Sequence, residues 1–104
     1  MVKVSSSVTL SDTTERDLFS IPAIENYIAF LKRLTITNNS TALATITFKA
    51  YNGSASKTIL VVNVDTNKTE KFREDELPAE GIPTKLTAMT TSAPVVISFT
   101  YDLV

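Results

Sequence analysis

A chain of 104 residues is long enough to bury one core without help from disulfides or a structural metal. It contains no Cys and no His, which excludes a disulfide framework, a thiol nucleophile and cysteine-ligated metal, and removes the commonest general base and zinc ligand. Ten basic against eleven acidic residues leave a formal charge of −1, far from the basic balance that phosphate backbones select, so no nucleic-acid partner is expected.

No apolar run approaches the roughly 20 residues that span a bilayer, and no membrane partner is expected. The N-terminal Met-Val-Lys-Val-Ser-Ser-Ser-Val lacks the long apolar core of a secretory signal. The expectation is a chain that stays where it is made or leaves by another route, such as assembly into a particle. Ser and Thr supply roughly a quarter of the residues, and Val and Ile are frequent. β-Branched side chains lose χ1 freedom in helices and pack well on pleated surfaces, so this composition favours sheet.

In chain order, Val2 to Leu10 reads as a first strand, at a sheet edge because its middle is serine. Ser11 to Arg16 is a polar turn. Asp17 to Ile21 is a short second strand ended by Pro22, which cannot donate to a ladder. Residues 22–31 support two readings. Ile24, Tyr27, Ile28 and Leu31 fit the helical i, i+3, i+4, i+7 template, with Ser20 ahead of Pro22 as a cap. Alternatively a loop at Ala23 to Asn26 precedes a long strand from Tyr27, and a bulge near Lys32-Arg33 then brings Leu31 and Leu34 inside together.

Phe30 to Ser40 alternates, with Leu34 and Ile36 on one face and Arg33, Thr35 and Thr37 on the other, until Asn38-Asn39-Ser40 stops the run. Leu43 to Tyr51 repeats the pattern with Ala44, Ile46, Phe48 and Ala50 inward. Joined by a short polar loop, the two runs read as a β-hairpin in the middle of the core. Asn52-Gly53 is a tight turn that needs positive φ. Ile59 to Val64 is a nearly continuous apolar strand, covered on both faces or covered on one and used for contact on the other. Asp65 to Lys68 turns the chain. Thr69 to Glu76 is charged, the mark of a solvated edge strand or strand-like loop. Leu77 to Pro83 is a turn bracketed by prolines. Thr84 to Thr90 places Leu86 and Ala88 on one face and Lys85, Thr87 and Met89 on the other. The last strand alternates cleanly, with Val95, Ile97, Phe99 and Tyr101 inward and Val96, Ser98, Thr100 and Asp102 outward.

About eight short strands with turns every 8–12 residues are the spacing of an all-β antiparallel sandwich of jelly-roll type, one domain across residues 1–104. A parallel α/β fold would need helices between strands, and the chain has room for at most one.

Residues that could do chemistry are few. Glu70, Glu74, Asp75, Glu76 and Glu80 form the densest acidic cluster, but they lack the ligand spacing of a calcium loop and are interleaved with Lys71 and Arg73. A solvated charged edge is the better reading. The chain has no Gly-x-Ser-x-Gly elbow, no Ser-x-x-Lys and no phosphate-cradling glycine loop, since Gly53 and Gly81 stand far apart. No catalytic residue, metal ligand or cofactor site is assigned, and the chain is expected not to be an enzyme. Asn-x-Ser/Thr triplets at Asn38, Asn39, Asn52 and Asn67 read as turn residues rather than glycan sites.

Surface contact offers more. With Leu60, Val62 and Val64 filling the core, Ile59 and Val61 form an outward apolar pair, and contiguous exposed apolar surface marks a partner. Ile59 and Val61, with Tyr51, are the expected subunit interface of a homo-oligomer. Tyr27, Tyr51, Phe72 and Tyr101 are the aromatics that could face outward and stack a sugar, although half-burial at a strand end explains each of them as well.

The order of these segments resembles a class of small virion proteins of tailed bacteriophages. The features that carry the resemblance are Leu18-Phe19-Ser20-Ile21-Pro22-Ala23, Lys32 to Ser40 and Ala44-Thr45-Ile46-Thr47-Phe48. In that class a leucine-tyrosine-threonine-valine-proline segment leads into a strand ending in Asn-x-Ser, followed by a second alternating strand. Thr66 to Thr69, Leu77 to Ile82 and Val95 to Tyr101 stand where the class has its threonine-rich turn, Gly-Asp turn and closing valine-rich strand. The resemblance spans Leu18 to Tyr101 and favours strand from Tyr27 onward. It implies a non-enzymatic capsid decoration, head-fibre or tail-associated protein, located in the virion and usually a symmetric oligomer, with other virion proteins as partners. A host-surface glycan is a further partner consistent with it. The alternative is a carbohydrate- or protein-binding module of the same architecture, with Tyr27, Tyr51 or Tyr101 as platforms.

Overall fold

The computed structural model describes residues 2–22, 24 and 26–104. Alternation becomes strand wherever one face of the run is apolar: β1 (Val2–Leu10), β2 (Arg16–Ser20), β3 (Ala29–Asn38), β4 (Ala44–Asn52), β5 (Ala55–Val64), β6 (Thr69–Phe72), β7 (Lys85–Thr90) and β8 (Val95–Leu103). The described residues include one short 3-10 turn, Glu74–Glu76, following β6. The strands form two antiparallel four-stranded sheets, sheet I in the order β1-β8-β3-β6 and sheet II in the order β2-β7-β4-β5. That order is the jelly roll, in which strands of the two sheets interleave along the chain.

The two sheets close over side chains of the inward parity. Leu34 and Ile36 from β3, Ile97 and Phe99 from β8, Ile46 and Phe48 from β4, and Leu86 and Ala88 from β7 are all buried. Phe19 from β2 stacks on Tyr101 from β8 at 3.9 Å between ring centroids, tying the two sheets together at one end of the core.

Local alternation misplaces one connection. β3 and β4 are not a hairpin, because β3 belongs to sheet I and β4 to sheet II. Their apolar faces meet across the core instead of lying side by side. Period-two patterning records which face of a strand is buried and carries nothing about which strand lies beside it. Both strands do occupy central positions in their sheets, so the middle of the core is where the sequence puts it. The consecutive strands that do pair are β4 and β5, across the Asn52-Gly53 turn, where Gly53 takes φ +64°.

Strand is the outcome for the ambiguous segment. Ala29 opens β3, and the described residues of 22–28 carry no helix, with Ala23 and Glu25 outside the described set. The expected bulge is present: β3 pairs Leu31 with Tyr101 and then Arg33 with Thr100, leaving Lys32 as the extra residue. Gly81 packs closely against the segment that leads into β3: a Cβ there would lie 2.5 Å from Ile28 Cγ2, so a larger residue would push the Ile28 side chain aside.

The loop after β3 is built around a buried amide. Asn38 is fully buried, and its Nδ2 donates to the carbonyls of Ala42 and Val64, each at 2.8 Å. Its Oδ1 accepts from the Ser40 amide at 2.9 Å. The Asn38 backbone adds two more bonds, donating to Lys68 O and accepting from the Asn67 amide. One asparagine thereby anchors both the β3–β4 loop and the β5–β6 turn, filling backbone valences that would otherwise be buried unpaired.

Candidate functional site

Of the three residues expected to form a subunit interface, only Val61 is presented to solvent, at 55% exposure on the outer face of β5. Ile59 is half-buried and packs against the core. The cause is a bulge: β5 pairs Leu60 with Phe48 and Thr58 with Lys49, so Ile59 is an inserted residue and leaves the outward row. The outward apolar pair is therefore a single valine. Tyr51 is half-buried and already engaged, its hydroxyl donating to Glu15 Oε2 at 2.5 Å and its ring lying under Lys85 Nζ at 4.7 Å.

Glu15 organises the outer face of sheet II. Its carboxylate also accepts from Thr87 Oγ1 at 2.8 Å and lies 3.9 Å from Lys49 Nζ. The Tyr51 and Thr87 hydrogen bonds hold the Glu15 carboxyl below its usual range, and the bond to Glu15 in turn holds the Tyr51 hydroxyl above its own.

The tyrosine platforms do not form a site. Tyr101 is buried in the core against Phe19, and burial raises its hydroxyl pKa. Phe72 is half-buried opposite Leu34. Tyr27 is exposed, in the apolar end where Val2, Ile28 and Val104 are exposed too.

The acidic cluster is dispersed into separate ion pairs. Glu74 takes Lys32 at 2.6 Å, Glu80 takes Lys57 at 2.8 Å, and Glu76 accepts from the Arg73 amide at 3.1 Å. Among the described residues no group of three acidic side chains is placed to hold a metal ion.

The outer face of sheet I holds an open groove of about 840 Å³, lined by Lys3, Lys32, Arg33, Arg73, Glu74, Asp75, Thr100 and Asp102. Asp102 is on the outward parity, as alternation requires, yet it is only 6% exposed and its Oδ1 has no hydrogen-bond partner. The β3 bulge explains the burial. It sets both Lys32 and Arg33 on the groove that Asp102 lines, where regular pairing would place one of them. Lys32 donates to Glu74 at 2.6 Å, and that bond, with a smaller contribution from the nearby Asp102 charge, holds it charged.

No protein-family model matches the chain, and no curated protein matches it. Among solved structures the chain is similar to that of PirA, at 16% identity over 94% of this chain and 93% of that one, with a TM-score of 0.61. It is similar also to a protein of Bacillus endospore appendages, described as a novel family of disulfide-linked pili. There the identity is 14% over 98% of this chain and 84% of that one, with a TM-score of 0.56. At such identities the likeness shows the fold, a small all-β protein, and neither likeness carries the phage assignment implied by the sequence resemblance.

Proposed function

We propose that the protein is a non-enzymatic structural subunit that acts through protein–protein contacts, forming a symmetric homo-oligomer and joining other components of a phage or virus particle. The free edge of β5 carries this reading. β5 is ten residues long, ends sheet II, and has Lys57 as its only charged residue. Its unpaired backbone groups and the exposed Val61 make it a template for another strand. Main-chain hydrogen bonds across such an edge supply affinity, and the alternate side chains supply specificity. Two copies related by a two-fold axis would pair β5 with β5 antiparallel, a self-complementary contact that closes on itself. The other long edge, β1, exposes Ser5, Ser6 and Ser7 at its middle rather than apolar side chains.

A chain without His or Cys suits contact better than chemistry. The Bacillus appendage protein of similar fold belongs to disulfide-linked pili. Having no Cys, this chain must hold its partners by edge pairing and side-chain packing. The resemblance across Leu18 to Tyr101 supports a virion as the place of assembly, and capsid, portal or tail genes beside the coding gene would support it further.

The test is sedimentation equilibrium on the wild-type chain and on Val61→Lys. The expected result is an oligomer that the substitution returns to monomer, because the exposed valine becomes a like charge facing its copy. A wild-type monomer at high concentration, or an oligomer indifferent to Val61→Lys, overturns the reading.

A further inference from the structure

The turn between β4 and β5 holds a chemically reactive pair that assembly does not use. Of the asparagines in the chain, Asn52 alone precedes a glycine. An asparagine side chain is open to attack by the backbone nitrogen of the next residue, and a side chain on that residue hinders the approach. Glycine offers no such hindrance. Asn52 pairs with Ala55, so Gly53-Ser54 is a two-residue loop in which Gly53 takes φ +64° at the first position. Asn52 and Gly53 are both exposed, which admits the water that the reaction consumes.

At the other asparagines the fold or the sequence removes the opportunity. Asn38 is fully buried with its amide on two carbonyls, and Asn39 precedes Ser40, whose N–H is bonded to Asn38 Oδ1. Asn63 accepts from Thr45 and precedes the β-branched Val64. Asn67 precedes Lys68, whose N–H is bonded to Asp65 O at 3.1 Å, and Asn26 precedes the bulky Tyr27.

Thr84 stands against the Asn52-Gly53 pair. Its hydroxyl accepts from the Gly53 N–H at 2.8 Å, and its own N–H donates to Tyr51 O at 3.1 Å. The Thr84 carbonyl accepts from the Ile21 N–H at 2.8 Å, which fixes it to the chain leaving β2. One half-buried threonine thereby grips the main chain on both sides of Asn52. The nucleophile of the reaction is the Gly53 nitrogen after loss of the same proton that Thr84 holds. That hydrogen bond must break before the nitrogen can attack.

We propose that Asn52-Gly53 is a self-modification site that the Thr84 hydroxyl holds in check. The Gly53 nitrogen gives up its proton and bonds to Asn52 Cγ, Asn52 Nδ2 leaves with a proton as ammonia, and a succinimide ring closes. Water then adds to either imide carbonyl and breaks its C–N bond, giving aspartate or isoaspartate. Both products place a carboxylate on the cavity wall that Asn52 shares with Lys57 and Glu80, and isoaspartate also lengthens the main chain at the entry to β5. The inference stands whether or not β5 recruits a partner.

The experiment ages the full chain at mildly alkaline pH and reads the tryptic peptide 50–57 by mass spectrometry, for wild type, Thr84→Val and Thr84→Ser. A synthetic peptide of the same sequence supplies the unrestrained rate. The wild-type chain is expected to convert more slowly than the peptide. Thr84→Val should convert about fivefold faster than wild type, the rate equivalent of one lost hydrogen bond. Thr84→Ser keeps the hydroxyl and should convert at close to the wild-type rate. In Thr84→Val the Gly53 amide should exchange its hydrogen faster while Ile46 and Phe48 stay protected. A wild-type chain that converts as fast as the peptide, or Thr84→Val at the wild-type rate, overturns the proposal. So does Thr84→Ser matching Thr84→Val, which would assign the restraint to packing of the methyl group. Loss of protection at Ile46 and Phe48 in Thr84→Val, with Asn67 converting faster in step, overturns it too, because general loosening then explains the rate.

Discussion

β5 and β6 end their respective sheets, and they meet solvent in opposite ways. β6 is four residues long and carries Glu70 and Lys71, with Glu70 on the core-facing parity opposite Ile36. Short length and an inward-facing charge are devices that stop a sheet edge from recruiting another strand. β5 is ten residues long and has neither device. Since β1 touches β2 across the sheets, β6 and β5 share the other flank of the sandwich, one protected and one open. The contrast is the basis of the proposal that the chain assembles through β5.

The largest expected effect comes from removing the buried amide that holds the end of β5. Asn38→Ala leaves the Val64 carbonyl at the end of β5 and the Ser40 amide without their side-chain partners, while the Ala42 carbonyl keeps Ser40 Oγ and the backbone bonds to the β5–β6 turn remain. A loss of about 3 kcal/mol is expected, read as a lower urea midpoint with unchanged slope. An unchanged midpoint would mean that the end of β5 is held by something else.

Next in size is a transplant of character from one edge to the other. Glu70→Val with Lys71→Val gives β6 the apolar surface of β5 and should produce new concentration-dependent association in light scattering. Persisting monodispersity at the wild-type mass would show that strand length alone protects β6.

A smaller effect belongs to the polar face beside β5. Glu15→Gln weakens the acceptor shared by Tyr51 and Thr87, at an expected cost of about 1 kcal/mol for a partly exposed group. The sign follows from the lowered pKa. Glu15 contributes stability above its ordinary value of 4.5 and loses it as pH falls through the lowered folded value. Glu15→Gln should therefore flatten the acid limb of thermal stability relative to wild type.

The smallest effect separates the two edges by pH. Glu74, whose carboxyl Lys32 holds below its usual range, fastens the 3-10 turn after β6 to β3. That fastening is complete above 4.5 and fades as pH falls through the lowered value. Hydrogen exchange should speed up at the end of β6 in acid while β5, whose only charge is Lys57, changes less. Equal acceleration in both would blur the contrast.

Much of this architecture is legible in the alternation of residues. Leu34 and Ile36, Ile46 and Phe48, and Val95, Ile97, Phe99 and Tyr101 all face inward as their parity requires. The edge character of β1 and β6 also follows from sequence, and the bulge at Lys32 belongs to one of the two readings open for residues 22–31. Strand partnership does not, because Leu34 and Phe48 bury equally well whether their strands lie side by side or face to face. Two departures from what alternation alone conveys share one cause. Ile59 leaves the outward row because of a bulge in β5, and Asp102 is buried on an outward parity beside the bulge in β3. A bulge resets parity through hydrogen-bond register between strands distant in sequence. The β5 bulge leaves no local mark. The β3 bulge does, in Leu31 and Leu34, but its consequence for Asp102 requires the β3–β8 pairing.

Hydrogen exchange of the wild-type chain at low and at high protein concentration tests the central contrast most directly. Amides of β5 should become more protected as concentration rises, while those of β6 exchange at a rate independent of it. Protection of β5 that does not change with concentration, or that rises equally in β6, would contradict the account.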